Sequence, residues 1–190
     1  SLEFNKKIAD IVKNSIKEQS VNSEDNWMSR FETKSPDDKI EKIPNKEERF
    51  QLESSVRIIR NDKDVISFIL DIYEFSGGAH GNSSIYTFNY NVVNQKEITL
   101  KDVSNGDQNF IKKVSDKTRD ILKKDLAKRA EVDLEYFGSE MLYSGTEPNE
   151  ENFSLFTLPE EGKITFHFPS YQVAPYVFGA SEVTLDLPIK

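Results

Sequence analysis

Cysteine is absent from the 190 residues, so the chain has no disulfide framework, no thiol nucleophile and no thiolate metal site. That absence does not fix the compartment, because extracytoplasmic proteins need not use disulfides. Histidine is nearly as scarce: His80 and His167 are the two in the chain, far apart and without thiol partners, which is too little for a zinc site. No run is long and apolar enough to cross a bilayer, and the chain opens on Ser1 rather than Met, so an anchor or signal upstream of it is expected. Basic residues are in deficit, 25 against 33 acidic ones, for a net charge of −8. This opposes a sequence-independent grip on phosphate backbones, and no nucleic-acid partner is expected. A solvated acidic surface explains the charge; a basic protein partner also suits it.

What is present is patterned. Phe4, Ile8, Ile11, Val12 and Ile16 form one stripe of an N-terminal amphipathic helix. From Gln19 to Glu48 the chain is polar, with Trp27, Met28 and Phe31 at helical spacing and Pro36 and Pro44 as punctuation, and reads as a helix end or short helix followed by a mobile loop. From Phe50 the period becomes two, with Phe50, Leu52, Ser54, Val56 and Ile58 on one face, then a turn at 60–63. The runs 65–75 and 86–92 are rich in β-branched and aromatic residues and meet at the turn Ser76-Gly77-Gly78-Ala79-His80-Gly81-Asn82, which predicts a hairpin. Gly77, Gly78 and Gly81 are expected to be structural, supplying backbone conformations that a Cβ would forbid. A short strand is expected over 97–100. A second helix follows, with Phe110, Ile111, Val114, Thr118, Ile121, Leu122 and Leu126 inward and Asp107 or Asn105 as its cap. A short helical piece within 132–145 and strands over 153–158, 163–168 and 182–187 complete the chain.

The fold expected is α+β: an antiparallel sheet with the N-terminal and central helices packed on one face. Residues 1–48 would hold the first helix and polar loop and residues 49–190 the sheet and second helix, together forming one compact unit.

Chemistry is sparse. The turn at 76–81 lacks the Gly-Lys-Ser/Thr ending and following helix of a phosphate cradle. His80 lies beside Ser76, Ser83 and Ser84, but there is no Gly-x-Ser-x-Gly elbow, so it is read as non-catalytic. His167 alternates with Ile164, Phe166 and Phe168 and is read as a surface or sheet-rim residue. The acidic pairs 37–38, 47–48 and 160–161 are adjacent in polar loops, where solvation explains them. Asn82-Ser83-Ser84 and Asn152-Phe153-Ser154 match a glycosylation acceptor pattern, which matters only where the source modifies secreted proteins that way. The loop from Tyr171 to Gly179 offers aromatic rings stiffened by Pro175. Two readings of Tyr171 and Tyr176 stand: contact surface for a partner, or rings folded back to seal the core. Phe178 is read as sealing the core.

The runs Ile72-Tyr73-Glu74-Phe75-Ser76-Gly77-Gly78-Ala79-His80-Gly81, Tyr86-Thr87-Phe88-Asn89-Tyr90 with Leu100-Lys101-Asp102-Val103, and Phe168 to Val183 resemble the paired DUF4163 and DUF3298 modules of bacterial envelope proteins. Such modules form the extracytoplasmic lysozyme-sensing region of the anti-sigma-V factor and the accessory domain of membrane-anchored peptidoglycan deacetylases. The resemblance implies an α+β binding module, not an enzyme, with no cofactor and no metal. It implies extracytoplasmic placement, with membrane attachment through a segment outside this sequence. The expected ligand is a protein such as a basic lysozyme, or peptidoglycan; the alternative role is to position a carbohydrate-active enzyme on peptidoglycan. The glycine turn and aromatic loop both fall at strand ends, so His80, Tyr171, Pro175 and Tyr176 are the expected ligand-binding residues, bordering one patch.

Overall fold

The computed structural model describes residues 2–32, 50–76, 80–132 and 140–189. Gly77, Gly78 and the 33–49 segment with Pro36 and Pro44 lie outside them. The elements run α1 (Leu2–Glu32), β1 (Gln51–Asn61), β2 (Val65–Phe75), β3 (Asn82–Asn91), β4 (Lys96–Glu97), α2 (Leu100–Ser104), α3 (Phe110–Ala130), α4 (Glu140–Gly145), β5 (Phe156–Thr157), β6 (Lys163–Phe168) and β7 (Ser181–Asp186). The fold is α+β. Where one sheet was expected, the described strands form two, ordered β1-β2-β3-β4 and β5-β6-β7. The chain divides into two units, residues 1–55 with 71–84 and residues 56–70 with 85–190.

In the first unit, α1 continues through Glu32 as one helix and takes in Trp27, Met28 and Phe31, where a helix end or short helix was expected; the loop expected after it lies outside the described residues. Its buried face also differs. Ile16 is 53% exposed, whereas Ser15 and Gln19 are buried. Phe4, Ile8, Val12, Ser15 and Gln19 follow the three- and four-residue steps of one helix face, which Ile16 leaves. Gln19 is tolerated inside because its amide donates to the carbonyls of Gln51 (3.1 Å) and Phe75 (3.0 Å).

The second unit holds the larger core. On α3, Phe110, Val114, Thr118, Leu122 and Leu126 face inward, while Ile121 does not. They meet Phe156, Ile164, Phe166, Phe168, Val183 and Leu185 of the three-stranded sheet. Phe153 stands edge-on to Phe166 and Phe168, with ring centroids 5.3 and 6.0 Å away. The strand expected over 153–158 shrinks to Phe156–Thr157.

Three local readings change. Leu100 begins a helix instead of ending a strand, because Thr99 and Asp102 form a capping box: Thr99 Oγ1 accepts from Asp102 N, and the Asp102 carboxylate accepts from Thr99 N at 2.8 Å. Asn105 closes α2 in a left-handed conformation, φ 48°, and Asp107 accepts from Asn109 N, so neither is the N-cap of α3. On β1, Val56 and Ile58 are exposed, not buried on a common face.

The second-unit residues of β2 and β3, 65–70 and 85–91, dock on the small sheet through side chains. Antiparallel alternation turns the backbone of Phe156 and the N–H of Leu158 away from β6. Thr87 Oγ1 accepts from Phe156 N (3.1 Å), Asn89 Nδ2 donates to Phe156 O (2.8 Å), and Ser67 Oγ accepts from Leu158 N (3.0 Å). Ser67 also donates to Asn89 Oδ1 at 2.7 Å, and both residues are buried. Asn89→Leu orphans Phe156 O and Ser67 Oγ and should cost roughly 2–4 kcal/mol in urea unfolding; a loss under about 0.5 kcal/mol would show that the carbonyl finds another partner.

Among the described residues, the turn between β1 and β2 carries the largest carboxylate perturbation. Asp62 falls to about 2 because its carboxylate accepts from Arg60, then from the Val65 and Asp64 amides. A depressed acid contributes stability above its unfolded pKa, near 3.8, and that contribution fades as pH falls through about 2. Asp62→Asn should therefore flatten the acid limb of the stability curve between those values, while leaving its slope near neutral pH unchanged.

Candidate functional site

The segment from Pro169 to Ala180 links β6 to β7 and lies in the second unit. Val173 and Ala174 anchor it in the core, and Phe178 packs partly buried against that core, as expected. The Gln172 amide donates to the carbonyls of Asn152 (2.9 Å) and Gly145 (3.2 Å). Gly145 has no room for a side chain, because an added Cβ would strike the Gln172 carbonyl. From α3, Arg129 donates to Phe178 O (2.9 Å) and Ser181 Oγ (2.8 Å). Arg119 donates to Thr146 O and Oγ1, both at 2.9 Å, and fixes the end of α4 on which Gln172 rests.

Anchored on both flanks, the loop turns its crest outward. Tyr171 is 56% and Tyr176 44% exposed, with Pro175 and Val177 exposed beside them. The two rings pair at 5.4 Å between centroids, tilted by 31°. Of the two readings for these tyrosines, the core-sealing one does not describe them. Tyr171 has φ 73°, a region that L residues avoid, and Gly179 follows at φ 67°. Strain held by a well-fastened loop is characteristic of ligand-contact positions. The positive φ of Tyr171 carries no sequence signal, since turn chemistry favours Gly or Asn there.

His80 lies in the first unit and is exposed. Its Nδ1 is 3.0 Å from Gly81 O. Gly81 does not hold a left-handed dihedral; a Cβ there would meet the outer end of the Tyr73 ring, which would have to swing aside.

His167 is buried, not at a sheet rim. Its Nε2 is 2.8 Å from Thr157 Oγ1 and its Nδ1 3.5 Å from Glu182 Oε2, an order of hydroxyl, imidazole and carboxylate that a nucleophilic triad would use. Thr157, however, is 0% exposed, so no substrate carbonyl reaches its oxygen. The row instead satisfies polar groups across β5, β6 and β7. The Asn152 amide donates to Ser144 O (2.8 Å) and Glu147 O (3.2 Å), tying down one of the two glycosylation-pattern asparagines. Glu160 is bonded to Lys163 at 2.7 Å, which lowers its pKa below the usual carboxylate value. Among the described residues no group of three or more His, Asp and Glu side chains is placed to hold a metal ion, and no helix is long and apolar enough to cross a membrane.

The architecture defines an α+β module with an exposed aromatic crest on a fastened loop. Residues 101–187 match the family described as protein of unknown function DUF3298, and residues 2–83 match the family described as deacetylase PdaC. The two matches follow one another along the chain, the first over its N-terminal part and the second over its C-terminal part. The chain is 30% identical over 137 residues to the peptidoglycan-N-acetylmuramic acid deacetylase PdaC of Bacillus subtilis (strain 168). The match covers 72% of this chain but 28% of that protein. A crystal structure of a DUF3298 family member from Bacteroides fragilis shares the fold, with a TM-score of 0.56 at 20% identity, over 94% of this chain and 64% of that one.

The dihedral at position 171 is testable without a ligand. Tyr171→Gly should be more stable than Tyr171→Ala by about 0.5–1 kcal/mol in thermal unfolding, because only glycine occupies that region without strain. Equal stability would mean that the loop relaxes to an ordinary φ.

Proposed function

We propose that this chain is a non-catalytic binding module of the bacterial envelope, and that the crest formed by Tyr171, Pro175 and Tyr176 is its contact surface. The crest itself carries the reading: two paired, exposed rings held by a loop that is hydrogen-bonded on both flanks and strained at Tyr171. Aromatic rings on a rigid support lose little entropy on binding, and their faces suit the apolar C–H faces of sugar rings. The similarity to a peptidoglycan deacetylase supports peptidoglycan as the ligand and an accessory role beside a carbohydrate-active enzyme. His80, in the first unit, is proposed separately as a ligand contact of its own. The module would act outside the cytoplasm, attached to the membrane through a segment beyond this sequence.

The net charge of −8 favours a second reading, recognition of a basic lysozyme. Sedimentation with insoluble peptidoglycan and titration with lysozyme separate the two. On the first reading the protein co-sediments, and Tyr171→Gly or Tyr176→Ala lowers the bound fraction about tenfold or more while the fold persists. On the second, lysozyme binds with an affinity that falls steeply with added salt. Co-sedimentation unaffected by either tyrosine substitution would overturn the role of the crest.

A further inference from the structure

The two edges of the small sheet are treated differently. At the β5 edge every outward backbone group named above meets a side chain. At the β7 edge the outward groups are found by the same alternation. Leu187 N donates to Gly162 O at 2.7 Å, and with Ile164 opposite Leu185 and Phe166 opposite Val183, the odd-numbered residues of β7 bond to β6. The N–H and C=O groups of Glu182, Thr184 and Asp186 therefore point away from the sheet. Among the described residues, no loop, turn or cap hydrogen bond engages them.

Beside that edge lies a groove of about 580 Å³ between β7 and α3, lined by Lys117, Ile121, Thr184 to Leu187, Pro188 and Ile189. Ile121 is 41% exposed on a helix otherwise polar outside. Lys124 and Lys128 follow Ile121 by three and seven positions and so share its helix face. Lys117, Lys124 and Lys128 are exposed and, among the described residues, form no ion pair, whereas Lys112, Lys113 and Arg129 are each paired with an aspartate. Among the described residues, a stripe of lysines without ion pairs, interrupted by Asp120, thus borders an open strand edge in an acidic protein.

We propose that β7 is a strand-addition site for an extended acidic peptide of a partner protein. The peptide would pair its backbone with Thr184 and Asp186, place an apolar side chain over Ile121, and set acidic side chains against Lys117 and Lys124. Addition of a second copy through β7 is disfavoured: antiparallel pairing centred on Thr184 sets Glu182 against Asp186.

The test uses the whole chain and a fluorescein-labelled peptide, Thr-Glu-Thr-Ile-Thr-Glu-Thr. The expected result is saturable binding with amide chemical-shift changes at residues 182–186, weakened about tenfold by Lys117→Glu with Lys124→Glu. Replacing both glutamates of the peptide by lysine should abolish binding, and so should N-methylation of alternate peptide amides, which leaves the protein untouched. In the free protein the Thr184 and Asp186 amides should exchange with solvent much faster than those of Val183 and Leu185. Slow exchange at 184 and 186, no shifts at 182–186, or equal binding of the lysine peptide would each overturn the proposal.

Discussion

A strand edge buried in protein cannot turn to water for hydrogen bonds, and an unpaired backbone group there costs as much as a lost bond. The outer edge of β5 faces this problem, because Phe156 and Leu158 lie in the interior. It is met by Ser67, Thr87 and Asn89, which stand in for a missing strand. The linkage between Ser67 and Asn89 makes the solution directional, since each can satisfy the backbone only if the other is correctly turned. The hairpin residues within the second unit are thereby held in register with β5 without a shared ladder.

The consequence reaches the candidate site through the sheet. β6 pairs with β5 on one side and β7 on the other, and the aromatic loop bridges β6 to β7. A fixed β5 fixes the two strands from which the crest springs, and Arg129, Gln172 and the close approach at Gly145 fasten the loop between them. Strain at Tyr171 is tolerable only on such a support. Rigid rings on a rigid frame suit recognition, whereas the Thr157 hydroxyl is buried beyond a substrate's reach.

Much of this was legible. The β2–β3 hairpin follows from its β-branched runs, and α3 from its three- and four-residue apolar steps, because periodicity reports burial directly. The crest was legible as a composition, aromatic and proline-stiffened. Four kinds of feature were not. Gln19 and Asn89 look like surface residues, and their burial depends on partners 32 to 67 positions away. Ile16, Val56 and Ile58 look like core residues, but what covers a face is a tertiary matter. The Thr99–Asp102 cap lay in plain view as a Thr-x-x-Asp spacing and was overridden by the β-branched run before it. His167 alternates with apolar residues as a rim histidine would, yet it is buried, with the interior Thr157 hydroxyl on one ring nitrogen and the exposed Glu182 carboxylate near the other.

The account depends on side chains having sealed a buried edge, and native-state hydrogen exchange at Phe156 and Leu158 tests that most directly. If Ser67, Thr87 and Asn89 close the edge, both amides exchange only through global unfolding, with free energies equal to that of the most protected core amides on α3. Exchange at Phe156 and Leu158 by local fluctuation, several kcal/mol below the global value, would contradict it.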